Sequence, residues 1–490
     1  MNDRLPQSSP GPSKPLRICV YAFSTTALFF RALIDACGKA GDTVEWSVIQ
    51  PQGHFRGTFK DVIPSERRCY LYEAFNEVYD ADDPGNVARA MASGEGLVTA
   101  LYKDKDGYRR LNKEEQLRRG GAMDAIYRAF LQRVRPDYVL FPDLEVVDGF
   151  VLLNLCHELG IGVLYFTSMR FIGRSYFASD PYESMPLYFG ESSQEDLRAA
   201  RTVIEKFWDR QSNDAGRNYP PVVPPKPSFA RRIFTTPLLR WTSERLHASE
   251  ETFRMRITRN MLRVMNPIRR RRFELLAARY FDVREDGAAL PERFVFYAMQ
   301  YTPESSINGL EPYYVDQSRV IDALLLNLPS GHRLVVKEHP AMAGMRPVSF
   351  YRELQRKPGL VLVHPRVDTR RLILRASVVT TVTGTVGLEA YLLGKPTVLF
   401  GPACFAHLCR RAPSVGELRS FLDRLIASYT PPSEAEKEEE IAKFIDIGGD
   451  FLISDPWFCP TVMAPENVQA TRAYLWRHLE RLRATAPVRS

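Results

Sequence analysis

The stretch Val378-Val379-Thr380-Thr381-Val382-Thr383-Gly384-Thr385-Val386-Gly387-Leu388-Glu389-Ala390 sets a glycine between two threonines, with an apolar run on either side. The first run predicts a strand ending at Thr383, Gly384 permits a tight turn, and Thr385 is an N-cap residue for a following helix. Free N–H groups at a helix start, the helix dipole and two hydroxyls are the parts of a phosphate site. Glu389, about one turn further on, is placed to meet ribose hydroxyls.

Other residues point to the same chemistry. Lys337-Glu338-His339-Pro340 directly follows a strand pattern at Arg333–Lys337, so His339 sits at a strand's carboxyl end with Pro340 fixing the turn. A cation or hydrogen-bond donor there would offset charge on a leaving phosphate. Gln300-Tyr301-Thr302-Pro303-Glu304-Ser305-Ser306 also follows a strand, and Gln300 and Glu304 are candidates to meet a base or sugar. In the first half, Phe141-Pro142-Asp143-Leu144-Glu145 puts two carboxylates at a strand end, where Asp143 or Glu145 would serve as general base or nucleophile. Ser168, Arg170 and Arg174 come after the next strand and suit an anionic sugar carboxylate.

No metal is expected. Asp80-Ala81-Asp82-Asp83 runs into Pro84-Gly85 and reads as a solvated turn, and Cys404, His407 and Cys409 have no second ligand cluster. The seven cysteines are scattered and mostly set in apolar runs, which reads as buried thiols in the cytoplasm. Neither a phosphate-loop motif nor a nucleophile elbow is present.

The elements that must position these residues alternate strand and helix twice over. Leu16–Phe23, Val44–Ile49, Tyr138–Phe141 and Gly162–Phe166 are strand patterns in the first half, with helices at Thr25–Cys37, around 113–133 and at Val147–Leu159. Residues 50–125 carry no other clear pattern. The second half restarts with strands at Phe294–Met299, Arg333–Lys337, Leu360–Val363, Val378–Thr383 and Thr397–Phe400, and helices at Tyr313–Asn327, Arg371–Arg375 and Val386–Leu393. Short, continuously apolar strands between helices predict parallel sheets covered on both faces. The expected fold is α/β, with two Rossmann-like domains facing a cleft at the carboxyl ends of their strands. The expected boundaries are a disordered leader at 1–15, a first domain at 16–216, a Pro-rich linker and basic helical insert at 217–287, a nucleotide-binding domain at 288–460, and a final helix within 461–490 that could pack back on the first domain.

Charge is concentrated in that insert. The 490-residue chain has a formal net charge of +8, while residues 217–272 carry 14 Lys+Arg against 3 Asp+Glu. The remainder is nearly neutral, which disfavours nucleic acid as a partner, since its binders spread basic residues across a whole domain. Phe253, Ile257, Met261, Val264 and Ile268 repeat at helical spacing among arginines. This suits an amphipathic helix on an anionic membrane face, an acidic glycan, or packing against the protein itself.

At these residues the sequence resembles the capsule polysaccharide biosynthesis family, the Kps-type proteins that include bacterial transferases of Kdo (3-deoxy-manno-octulosonic acid). The likeness rests on Pro303-Glu304-Ser305-Ser306, on Val336-Lys337-Glu338-His339-Pro340, and on Thr383 to Ala390 with Gly394-Lys395-Pro396 and Gly401. It spans roughly Phe294–Gly401, and the first 220 residues match only in general architecture. The resemblance implies a glycosyltransferase of the GT-B type that uses a nucleotide sugar, often CMP-linked, without obligatory metal or further cofactor. The nucleotide would be held by the His-Pro motif at His339 and Pro340 and by Thr383, Gly384, Thr385 and Glu389, beside Lys337, Gln300 and Glu304. Thr385 stands where many relatives have Ser. The basic insert is outside the family's pattern, so sugar and acceptor do not carry over. The expected function is transfer of Kdo or another acidic sugar from a CMP- or UDP-linked donor to a surface polysaccharide or lipid-linked glycan, at the inner face of the cytoplasmic membrane. A nucleotide-sugar epimerase and a non-catalytic assembly or export factor are the alternatives.

Overall fold

The computed structural model describes residues 15–53, 55, 57–104, 111–142, 144–169, 174–181, 193–213, 273, 279–283, 290–342, 344–453, 456 and 459–485. Most of the basic insert therefore lies outside the described residues, as do Asp143 and Arg170.

Two six-stranded sheets organise the chain. The first contains β1 (Leu16–Tyr21), β2 (Val44–Gln50), β3 (Arg68–Tyr70), β4 (Tyr138–Phe141), β5 (Gly162–Met169) and β6 (Arg174–Ala178) in the spatial order β3-β2-β1-β4-β5-β6. Its helices are α1 (Thr26–Lys39), α2 (Leu71–Asp80), α3 (Pro84–Ala92), α4 (Leu97–Lys103), α5 (Lys113–Val134), α6 (Val147–Glu158) and α7 (Gln194–Asn213). β1 to β5 are parallel, and β6 closes the edge antiparallel to β5.

The second sheet repeats the plan with β7 (Phe294–Ala298), β8 (Arg333–Lys337), β9 (Leu360–Val363), β10 (Val378–Thr381), β11 (Thr397–Leu399) and β12 (Arg410–Arg411). Read from β9, the order is β9-β8-β7-β10-β11-β12, all parallel. Its helices are α8 (Ser305–Asn308), α9 (Ser318–Leu326), α10 (Val348–Gln355), α11 (Thr369–Arg375), α12 (Val386–Leu392) and α13 (Leu418–Ser428). The two-domain Rossmann-like fold expected from the sequence is the one observed.

Side-chain alternation explains why these strands read as unbroken apolar runs. In β7, Val295 and Tyr297 join the core on one face while Phe294 and Phe296 join the core on the other. Both faces are covered, so no position is left for a polar residue. Phe273, Tyr280 and Phe281, at the end of the expected insert, pack against Tyr351 in the second domain's core.

The last two helices, α14 (Glu434–Ile447) and α15 (Pro465–Thr485), return to the first domain. Ile441, Phe444 and Ile447 of α14 and Leu475 and Leu479 of α15 belong to the same buried cluster as Ile18 and Val20. Gly449 exchanges backbone hydrogen bonds with Ser175 of β6. The chain is thus back on the first sheet by Gly449, ahead of the expected boundary at 460. No helix among the described residues is long and apolar enough to cross a membrane, and all seven cysteines are buried thiols.

Candidate functional site

In each sheet the chain leaves the first strand in one direction and later returns on its other side, which opens a crevice between β1 and β4 and between β7 and β10. Ligands of doubly wound sheets bind at that reversal. In the second domain it is bridged by a single side chain. Gln300, just after β7, donates from Nε2 to Thr383 Oγ1 (2.7 Å) and accepts from the Thr383 backbone N–H on Oε1 (3.1 Å). Its own backbone N–H donates to Gln317 Oε1 (2.8 Å), and its carbonyl accepts from Gln317 Nε2 (2.8 Å) and Arg346 Nη2 (3.2 Å). Thr383 Oγ1 in turn donates to the Ser306 carbonyl at 2.9 Å. Gln300 and Thr383, expected to touch the nucleotide, are committed to holding the two loops in register.

Gly384 follows at a close approach: a Cβ there would stand 2.8 Å from Thr381 Oγ1. Thr385 differs from expectation. It has helical dihedrals (φ −58, ψ −18) and makes no side-chain capping bond, so the hydroxyl does not close the start of α12. The helix still begins at Val386 as expected, but an N-cap residue in the helical region, not the extended one, lacks the geometry a capping hydroxyl needs.

The carboxyl end of β8 carries the charged part. Lys337 is buried, and its Nζ donates to Thr369 Oγ1 at 2.5 Å. Burial lowers its pKa to about 8, against the opposing pull of Glu389 and Asp368. Glu389 is itself buried on α12. Glu338, fully buried, accepts from the His339 N–H (2.8 Å), Arg346 Nε (2.7 Å) and Tyr351 OH (3.1 Å). Burial raises its pKa while Arg346 pulls the other way.

His339 is oriented by this loop. Its Nδ1 accepts the Ala341 N–H at 3.2 Å, which leaves the ring proton on Nε2. Desolvation holds the imidazole below its ordinary pKa, with Glu304 opposing and Lys337 and Arg346 reinforcing, so near pH 7 it is a neutral N–H donor. Tyr301 packs edge-to-face on the ring at 6.1 Å. Pro340 is exposed and opens a short 3-10 turn over Pro340–Met342. Glu304 precedes α8, its backbone N–H held by Asn308 Oδ1 at 3.1 Å. His364-Pro365, after β9, repeats the arrangement: His364 Nδ1 accepts from the Arg366 N–H, also at 3.2 Å.

The first domain departs further from expectation. Glu145 is half-buried between β4 and α6. Ser168 does not follow a strand but lies within β5, opposite Ser175. Arg174 does not present a sugar-binding cation. Its guanidinium is paired with Asp450 (2.9 Å) and donates to the Ile445 carbonyl (2.6 Å), because the returning chain covers β6. Three groups went unrecognised in the sequence. Asp148, in the first turn of α6, is buried and accepts from Tyr21 OH at 2.7 Å. Asp104 accepts the Val147 N–H at 3.1 Å, and Lys103 pairs with Glu95 and lies 5.6 Å from the Phe150 ring centroid. An acid in a helix's first turn is a legible signal for Asp148. Asp104 and Lys103 depend on tertiary contacts alone. The two domains meet here: a Cβ on Gly309 would be 3.2 Å from Phe150 Cζ and 3.5 Å from the Leu144 carbonyl. Among the described residues no group of three or more His, Cys, Asp or Glu is placed to hold a metal ion.

The loops after β7, β8 and β10 all fall within one stretch of recognisable ancestry. Residues 254–408 match the family model described as capsule polysaccharide biosynthesis protein. The capsule synthesis match thus takes in Gln300, Lys337, His339, Thr383 and Glu389, and leaves out the first domain. Protein FixF of Sinorhizobium fredii is 28% identical over 160 residues, which are 30% of this chain and 35% of that protein. The match therefore spans about a third of that relative's length. Among solved structures, KpsC of Thermosulfurimonas dismutans, a beta Kdo 2,4 transferase, is 14% identical, with 63% of this chain and 79% of that one covered and a TM-score of 0.29. The UDP-GlcNAc 2-epimerase of Methanocaldococcus jannaschii is 10% identical, with 88% and 99% covered and a TM-score of 0.25.

Proposed function

We propose that the protein is a glycosyltransferase of capsule polysaccharide synthesis that binds a nucleotide sugar in its second domain. The observation that carries this is a buried, charged Lys337 beside Glu389 and Thr369 at a β8 carboxyl end that also presents the Nε2–H of His339. A buried amine with a shifted pKa beside a buried carboxylate, at a strand's carboxyl end, is the kind of group that gathers at binding sites. The donor's phosphate lies against Lys337 and His339, which offset the charge that builds as the sugar leaves. Glu389 takes the ribose hydroxyls. Asp143 or Glu145 of the first domain activates the acceptor or meets the anomeric carbon. The donor is CMP- or UDP-linked, the sugar Kdo or a similar acid, and the acceptor a surface polysaccharide or its lipid-linked primer. No resident cofactor takes part in this scheme.

Calorimetry with CMP and UDP, with and without EDTA, tests it. One nucleotide should bind, chelator should leave the affinity unchanged, and Lys337→Met and His339→Ala should each weaken binding at least tenfold. If neither nucleotide binds, or both substitutions leave binding as it was, the proposal fails. Conversion of a nucleotide sugar in the absence of any acceptor would instead identify an epimerase.

A further inference from the structure

A cavity of about 580 Å³ lies at the far edge of the first sheet, between β3, α2 and α5. None of its lining residues comes from the loops after β1, β4, β7, β8 or β10, so it is separate from the donor site. Its walls are aliphatic and aromatic, with Val78 from α2 and Ile126 and Phe130 from α5. Lys60 and Arg133 stand exposed at its rim against a single acid, Glu73.

The decisive feature is Arg68, on the edge strand. Among the described residues its Nε and Nη1 are buried and donate to nothing, and the neighbouring Tyr70 hydroxyl is likewise buried without a hydrogen-bond partner. The guanidinium carbon lies 6.0 Å from the Tyr70 ring centroid, within the range of a cation–π contact. Arg68 as a whole is half-buried, but buried N–H donors left unmet are costly, and native proteins tolerate few of them. A guanidinium fork matches a phosphate or carboxylate, and the volume is that of a small-molecule site.

We infer that this cavity binds an amphiphile with a phosphate or carboxylate head, which Arg68 and Tyr70 take, and an apolar body lying along α2 and α5. Free phosphate and a lipid-like phosphate share the head and differ in the body, so the experiment separates them. Decyl phosphate (below its micellar concentration), inorganic phosphate and 1-decanol are titrated into the full chain by calorimetry. Decyl phosphate should bind at least tenfold more tightly than either of the others. Arg68→Met should weaken it at least tenfold, and Tyr70→Phe severalfold, while CMP or UDP binding stays unchanged. Without ligand, Arg68→Met should melt at or above the wild-type temperature, since it removes buried donors that have no partner. A lower melting temperature would mean that Arg68 supports the fold. That result overturns the inference, as does decyl phosphate binding that is absent or survives the substitution, or phosphate or decanol binding equally well.

Discussion

Lys337 owes its character to two opposed effects, and the balance can be read in solution. Burial pushes the amine down to about 8 from an ordinary 10.5, while Glu389 and Asp368 hold it from falling further. Below pH 8 it is a cation facing the proposed phosphate, and above it the charge is lost. A bound anion favours the charged form and raises the pKa again. Nucleotide binding at pH 8 should therefore take up about half a proton, whereas binding at pH 6.5, where the amine is already charged, should take up almost none through this group. Calorimetry in buffers of different ionisation enthalpy reads this number directly, and Lys337→Met should abolish the uptake at pH 8. Proton release, or uptake that persists in the variant, would exclude Lys337 as the phosphate's partner. The placement of Lys337 and His339 at the carboxyl end of β8 was legible in the sequence, because a charged pair followed by proline right after an apolar strand has few other placements. The residues that orient them were not. Arg346 lies eight positions beyond Glu338 in an irregular loop, and only the fold brings it to 2.7 Å from that carboxylate. Gln300 was read as a ligand, but its amide is taken up by Thr383 on another strand's loop.

Elements were legible in proportion to how completely they are buried. β1, β7, β8, β9 and β10 are short apolar runs covered on both faces, and the pattern shows them directly. Residues 50–125 conceal β3 and three helices because β3 has only three residues and the helices are short and partly exposed. Their packing depends on the adjacent glycines of α5, Gly120 against Leu97 of α4 and Gly121 against α3. In α5 a Cβ on Gly121 would lie 2.8 Å from the Val87 backbone nitrogen and 3.0 Å from the Asn86 carbonyl carbon, so α3 rests on α5 almost backbone to backbone. Alanine is the better helix former by about 1 kcal/mol, but the groups it would strike are main chain and cannot rotate away, and overpacking of that kind costs about 1–3 kcal/mol. Gly121→Ala should lower the urea midpoint of the protein. Gly38, near the end of α1, has nothing within 4 Å of an added Cβ, so Gly38→Ala should leave the midpoint equal or raise it by a few tenths of a kcal/mol. The opposite signs are the point of the pair. A rise for Gly121→Ala would show that helix propensity, not the close approach to α3, governs this position.

At the scale of the whole molecule, the two domains are joined by a chain that crosses over and returns. The second sheet lies between α7 and α14 in the chain, and α14 and α15 come back to the first domain, as the sequence hinted for the last helix without locating its partner. The partner is Asp42, just beyond α1. Arg472 grips it bidentately at 2.6 and 2.5 Å, and Trp476 Nε1 donates to the same carboxylate at 2.8 Å. Burial raises the Asp42 pKa, but the hydrogen bonds from Arg472 and Trp476 outweigh it and hold the group below the usual carboxylate value. A depressed carboxylate stabilises the folded arrangement above its unfolded value, near 4, and the benefit is lost as pH falls through the lower folded one. The clamp adds to an apolar face on which Val468, Tyr474, Leu475 and Leu479 are buried. Arg472→Ala leaves Asp42 half-satisfied at a cost of about 1–3 kcal/mol, so at neutral pH amide exchange across Pro465–Thr485 should quicken by about tenfold or more while the strands of the second sheet stay protected. Asp42→Asn should do the same at pH 7. As pH falls below the unfolded carboxylate value and through the lower folded one, the gap between wild type and Asp42→Asn should narrow. Equal protection of α15 in all three proteins at pH 7 would show that the apolar face alone docks the helix. Quickened exchange reaching β7 and β8 would show instead that this clamp holds the two domains as one cooperative unit.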